Sequence, residues 1–241
     1  MALAEVQKYL RLDKFPHLWC PGCGNGIVLQ GVLRGLDALK ADPNQVVVVS
    51  GIGCSSRSAG YLDFNTLHTA HGRAIPFATG IKLARPDLTV LVITGDGDCT
   101  AIGGNHFIHA CRRNLDLTTI IFNNSTYGMT SGQYSPLTPL GAFAATAPYG
   151  NVEPAFDVCR LAEAAGASYV ARTTTFHARQ IPDLVAHAVQ NKGFSVIEVI
   201  TGCPVYYGRM NQAASAVEML NALFKSSVPT FTYINSNAKF L

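Results

Sequence analysis

The sequence predicts an α/β fold, a parallel sheet covered by helices on both faces, and three observations lead there. Apolar runs rich in β-branched residues recur along the chain, and segments of helical period separate them. The residues that follow the runs are glycines, carboxylates, amides and cysteines, as expected where a ligand meets the carboxyl edge of such a sheet. The runs are continuously apolar rather than alternating, which is the pattern of strands buried on both faces.

Taken along the chain, a helix is predicted at 26–40 and a first strand at 45–50, where four valines stand together. Helix 75–84 leads to a second strand at 88–94, and helix 101–112 to a third at 117–122. Helix 155–165, strand 168–171, helix 178–190, strand 194–200 and helix 212–225 complete the series. Pro182 falls in the first turn of its helix, where a missing N–H costs nothing. Strands alternating with helices imply right-handed crossovers within one sheet. No shift in composition marks a boundary, so residues 1–241 read as a single domain. Its C-terminal arm, about 204–241, is polar and irregular beyond Ser226.

Composition narrows the function. The 241 residues are 48% hydrophobic but only 14% charged, where soluble domains carry about 25%. A disordered chain is excluded, and a surface partly covered by another chain is expected. The net charge of +3 is scattered, with no basic arm or helix for nucleic acid. The longest aliphatic run, Val46 to Val49, is far short of a membrane span. The N-terminus lacks the apolar core of a signal peptide, which predicts a cytoplasmic protein. Seven cysteines without an export signal favour metal, cluster or buried thiols over disulfides.

Four strand tips converge on one predicted site: Gly51-Ile52-Gly53-Cys54, Gly95-Asp96-Gly97-Asp98, Asn123 to Gly128, and Thr201-Gly202-Cys203. The glycines around Asp96 let a phosphate approach the backbone. Asp96, the amide oxygen of Asn124 and the carbonyl of Thr126 could give a hard cation such as Mg²⁺ three oxygen ligands. No Walker-type loop is present. Gly-Asp-Gly followed, after a helix and an apolar strand, by Asn-Asn resembles the thiamine-diphosphate signature. Enzymes of that kind also need a carboxylate to activate the aminopyrimidine ring. Glu5, Glu153, Glu163, Glu198 and Glu218 are the only glutamates, and none stands beside a strand-tip motif. That carboxylate is therefore expected on another chain.

Cys20 and Cys23 form a Cys-Pro-Gly-Cys knuckle, and Cys54 and Cys203 stand at two strand tips. Four thiolates suit tetrahedral zinc or a 4Fe–4S cluster, and the knuckle alone could serve thioredoxin-like chemistry. Cys99, Cys111 and Cys159 lie in or beside apolar segments and read as buried thiols.

With His-Gly-Arg-Ala-Ile-Pro at 71–76 and Asn-Asn-Ser-Thr-Tyr-Gly-Met-Thr at 123–130, these motifs in this order resemble the β subunit of the 2-oxoacid:ferredoxin oxidoreductases. The resemblance spans about residues 15–210 and implies a thiamine-diphosphate-binding fold. It implies that Cys20, Cys23, Cys54 and Cys203 ligate one 4Fe–4S cluster, and that Asp96, Asn124 and Thr126 bind Mg²⁺. Ile52, Gly53, Cys54, Ser55, His71, Gly97, Asp98, Gly128 and Met129 would contact the cofactor. Arg57 would face the substrate carboxylate, and Met129 would line the side-chain pocket. The implied reaction is oxidative decarboxylation of a 2-oxoacid to its acyl-CoA, with electrons leaving singly through the cluster to ferredoxin. The missing glutamate implies an α subunit carrying the pyrimidine-side domain, in an (αβ)2 heterotetramer. The entrance around Trp19 and the Tyr-Gly-Met-Thr turn look most like 2-oxoglutarate members, with pyruvate and branched-chain 2-oxoacids as alternatives. A non-redox thiamine decarboxylase with a structural zinc on the four cysteines, or an electron carrier on a relic thiamine fold, would share much of this pattern.

Overall fold

The computed structural model describes residues 6–213, 215–225 and 231–234. In chain order the elements are α1 (Asn25–Ala38), β1 (Val46–Ser50), α2 (Ser58–Tyr61), β2 (Asn65–His68), α3 (Ala74–Ala84), β3 (Thr89–Gly95) and α4 (Gly104–Arg113). There follow β4 (Thr118–Asn123), α5 (Val158–Ala164), β5 (Tyr169–Thr174), α6 (Ile181–Gln190), β6 (Ser195–Ile200), α7 (Ala216–Lys225) and β7 (Phe231–Ile234). The strands form one sheet in the order β2-β1-β3-β4-β6-β5-β7. All neighbours run parallel except β7, which lies antiparallel on β5.

Apolar layers on both faces explain the continuous runs. Val46, Val48, Leu91, Ile93, Ile120, Phe122, Ile197 and Val199 pack toward α1 and α6. Their alternate neighbours Val47, Val49, Val90, Val92, Ile121 and Val196 pack toward α3, α4 and α5. Successive side chains of a strand point to opposite faces, so a sheet covered twice asks for apolar residues at every position. Helices α1 and α6 cross closely. A Cβ at Gly31 would lie 2.4 Å from Cγ2 of Ile181, so only glycine permits this approach. Asp157 starts α5 by accepting a 3.2 Å bond from the Arg160 N–H, which sets the helix start three residues later than the periodicity predicts.

Two strands escaped the sequence reading. β2 pairs parallel with β1 at the sheet edge, and its four residues are exposed or half-buried, so it carries no apolar run. β7 belongs to the tail read as irregular, although its four residues pair antiparallel with 169–172. The remainder of that predicted arm at 226–230 and 235–241 lies outside the described residues. Among the described residues no helix is long and apolar enough to cross a membrane.

Candidate cofactor site

Strands β1, β3, β4 and β6 end side by side, and their tips enclose two adjoining cavities. The first, of about 220 Å³, is lined by Ile52, Gly53, Cys54, Ser55, His71, Asp96, Gly97, Asp98, Asn124, Thr126, Gly128 and Met129. The second, of about 190 Å³, is lined by Cys20, Cys23, Cys54 and Cys203, with Arg57 in its wall. Cys54, Asn124, Gly128 and Met129 belong to both. Every predicted site residue thus lies on one of two contiguous spaces. A larger groove of about 840 Å³ along α6 and β7 holds none of them.

The backbone beyond β3 is built around a buried carboxylate. Asp96 is 3% exposed, and burial pushes its carboxyl up to about 7. The groups that hold it down are neutral: the hydroxyl of Ser135, which donates to Oδ2, and backbone N–H groups at Asp96 and Gly97. A carboxylate desolvated in this way fits a bound dication, whose charge it would neutralise. Beyond β4, Asn124 Oδ1 accepts from the Thr126 N–H at 3.3 Å, and Asn123 Oδ1 accepts from the Ser125 N–H at 3.0 Å. These Asx turns shape the 124–126 segment, which lines the cavity with Asp96, and Ser125 within it takes a left-handed φ of 57°. Asn123 is itself anchored, for its Nδ2 donates to Glu198 Oε1 at 2.7 Å. Glu198 in turn accepts from Arg172 Nε at 2.5 Å, and Arg172 reaches Asp157 at 2.5 Å.

Asp98 lines the cavity, yet its oxygens are committed elsewhere. Oδ1 accepts from the Gly72 N–H at 2.7 Å and the Ile52 N–H at 3.3 Å, and Oδ2 accepts from Thr94 Oγ1 at 2.7 Å. His71 Nδ1 lies 2.6 Å from Oδ1. The carboxylate therefore ties the loops after β1 and β2 to β3 and lies against His71. Tyr127 packs edge-on to His71 with ring centroids 6.1 Å apart, and its hydroxyl donates to the Gly97 carbonyl at 3.3 Å. Its phenol is pushed up to about 12, first by burial and then by Asp96 and Asp98. A Cβ at Gly97 would lie 2.2 Å from the Tyr127 ring, so this position admits only glycine.

All seven cysteines are free thiols. Cys20 is exposed, Cys23 and Cys54 are half-buried, and Cys203 is buried. The Cys23 N–H closes the knuckle on the Cys20 carbonyl at 3.0 Å, and Trp19 Nε1 pins the Cys54 carbonyl at 2.7 Å. Gly128 completes the ring, for a Cβ there would stand 3.6 Å and 3.7 Å from the sulfurs of Cys203 and Cys54. Burial pushes the Cys23 thiol up to about 11 against the Asn25 backbone N–H, and burial with Cys203 and Cys20 raises Cys54 while Arg57 opposes. Among the described residues no three His, Cys, Asp or Glu side chains stand close enough to hold a single metal ion. Cys99, Cys111 and Cys159 are buried in the core on the α3–α4–α5 face.

Sequence reasoning missed several contributors. Asn25 lines the first cavity, Ser135 supports Asp96, and Tyr127 fills the space against Gly97. Tyr127 sits inside a motif and could have been found there; Ser135 reaches Asp96 from a loop that no local pattern connects to it.

Residues 40–199 match the C-terminal TPP binding domain of the thiamine pyrophosphate enzymes. Sheet, cavity and match define the chain as a thiamine-pyrophosphate-enzyme domain. The "2-oxoglutarate synthase subunit KorB" of Methanocaldococcus jannaschii is 55% identical over 221 residues, 92% of this chain and 82% of that protein. The protein of the same description from Archaeoglobus fulgidus is 59% identical over 203 residues, covering 84% and 76%. The solved 2-oxoglutarate:ferredoxin oxidoreductase from Magnetococcus marinus, with 2-oxoglutarate, coenzyme A and succinyl-CoA bound, superposes with a TM-score of 0.87 at 32% identity, covering all of this chain and 88% of that one. The chain belongs to the β-subunit family of the 2-oxoacid:ferredoxin oxidoreductases.

Proposed function

We propose that this chain is the cofactor-binding β subunit of an enzyme that oxidatively decarboxylates 2-oxoglutarate to its acyl-CoA and passes the electrons to ferredoxin. The observation that carries the reading is the shared wall of the two cavities, which sets a buried carboxylate–amide cradle directly against four thiols. The names of the relatives support 2-oxoglutarate over pyruvate or a branched-chain 2-oxoacid.

Asp96, Asn124 and the Thr126 carbonyl are read as the Mg²⁺ ligands, with the diphosphate against Gly97. Cys20, Cys23, Cys54 and Cys203 are read as the ligands of one 4Fe–4S cluster. The four thiols line one cavity against the proposed thiamine site, where a redox-active cluster could take electrons and redox-inert zinc could not. Bound here, thiamine diphosphate would supply the carbanion that attacks the 2-oxo carbon, and the cluster a one-electron acceptor beside it. The chain's own part is placement. Asp98, expected as a cofactor contact, lines the cavity beside His71 and also anchors the loops around it. Ile52, Gly53, Ser55, Gly128 and Met129 shape the wall, and Arg57 stands where a guanidinium could pair with a carboxylate. Glu198, the buried glutamate nearest the site, is bonded to Arg172 and Asn123, so the pyrimidine-activating carboxylate is assigned to an α subunit, in an (αβ)2 assembly. The chain is taken as one domain, working in the cytoplasm.

The test is to co-express the chain with its α subunit anaerobically and follow 2-oxoglutarate-dependent, CoA-dependent reduction of ferredoxin. Iron and sulfide at four each per αβ unit, with turnover lost in Asp96→Ala, is the expected result. A colourless complex carrying stoichiometric zinc, or full turnover in Asp96→Ala, overturns the reading.

A further inference from the structure

Asn25 is 1% exposed, and neither Nδ2 nor Oδ1 has a hydrogen-bond partner among the described residues. Buried amides are almost always paired, because burial without a partner forfeits the bonds they make to water. Local roles do not account for this side chain. Asn25 is the first residue of α1, but the cap position belongs to Gly24, and no side-chain cap bond is made. Its backbone N–H is directed at Cys23, which leaves the side chain free to face the 220 Å³ cavity that it lines. Ser55 lines the same cavity, is 4% exposed, and its hydroxyl is also without a partner among the described residues. Two orphaned polar groups thus lie on one cavity wall with buried Asp96.

We propose that Asn25 is a binding residue for the thiamine cofactor itself, its side-chain amide hydrogen-bonding polar atoms of the ligand on the cavity floor. The inference rests on the reading of this cavity as a thiamine-diphosphate site. One observation favours the cofactor over the 2-oxoacid. Asn25 and Ser55 are buried beside Asp96, whereas Ile52 and Met129, at the open rim, are 40% and 43% exposed; the deep groups meet the resident ligand.

The experiment uses the αβ complex stripped of cofactor and titrates thiamine diphosphate with Mg²⁺ by calorimetry, beside thermal unfolding of the stripped complex. Asn25→Leu and Asn25→Ala should each weaken cofactor binding about tenfold, the size expected for one or two lost hydrogen bonds. The unfolding temperature of the stripped complex should stay the same or rise in Asn25→Leu, because an unpaired buried amide is replaced by an apolar group. A structural asparagine would behave oppositely, with lower thermal stability and unchanged affinity, and that result overturns the inference. Wild-type affinity in both Asn25 variants with binding lost in Asp96→Ala also overturns it, leaving Asn25 paired with a bound water only. Wild-type affinity in Asp96→Ala as well would fell the thiamine reading itself. If the leucine variant does not fold, the alanine variant decides.

Discussion

The two cavities share a wall but are built on opposite plans. The carboxylate side is organised by the polypeptide alone: Asp96 is held by Ser135, Asn123 by Glu198, and the loops at Ile52 and Gly72 by Asp98. The cysteine side has backbone order but no such lattice among its thiols, and burial holds Cys23 and Cys54 above the ordinary thiol range. Thiols in that condition keep their protons until a metal displaces them, so if the proposed cluster binds here, binding it and completing the site are one event. On the proposed reading the first cavity is a prepared receptor for diphosphate and cation, and the second is half a site whose other half is the guest.

The comparison breaks most sharply at Cys203. It is buried against Gly128 at the shared wall, and a serine there removes a proposed cluster ligand without adding bulk. Cys203→Ser should abolish iron and sulfide incorporation and the reduction of ferredoxin, with thiamine-diphosphate affinity of the αβ complex unchanged. Iron analysis and calorimetry check the two halves separately. If cofactor affinity fell together with iron content, the cavities would be one cooperative unit rather than two.

The sequence made the sheet legible because burial on both faces writes itself as uninterrupted runs such as Val46 to Val49. β2 stayed hidden because an edge strand pays no such toll: Asn65 and His68 are exposed. The strand-tip chemistry was legible as well, since glycines, carboxylates and cysteines are conspicuous at the ends of apolar runs. Its supports were not. Arg172 and Glu198 stand opposite each other only through the register of β5 on β6, and the sequence does not state a register. Asp98 shows the same limit. Beside Gly-Asp-Gly it reads as a phosphate contact, and no local pattern announces that tertiary structure also brings Gly72, Ile52, Thr94 and His71 to its oxygens.

The lattice on the carboxylate side can be tested one residue back from the ligands. Arg172 and Glu198 are largely buried, with side chains 11% and 3% exposed, and their pairing is the link that holds Asn123 and its Asx turn. Glu198→Gln keeps the shape but removes the charge, leaving Arg172 with Asp157. Breaking a buried pair costs about 3–5 kcal/mol, and the remaining partner places this variant near 3 kcal/mol. Denaturant titration of the αβ complex measures that loss. The Mg²⁺ concentration for half-maximal turnover should rise several-fold while iron content stays whole, the mirror image of Cys203→Ser. Loss of iron instead would show that Glu198 supports the cysteine side.

The smallest effect is expected at Tyr127. Tyr127→Phe deletes only the 3.3 Å bond to the Gly97 carbonyl and keeps the ring that faces His71 and fills the space above Gly97. A single neutral hydrogen bond is worth about 0.5–1.5 kcal/mol, so cofactor affinity should weaken about threefold, measured by the same calorimetric titration. The shape of the pH–rate profile between about pH 6 and 9 should not change. With its phenol pushed up to about 12, the hydroxyl stays protonated throughout that range and has no proton to exchange. A shifted profile in Tyr127→Phe would make the phenol a participant in proton transfer. An unshifted profile with modestly weaker cofactor binding would keep Tyr127 where its contacts put it, as one more prepared piece of the receptor.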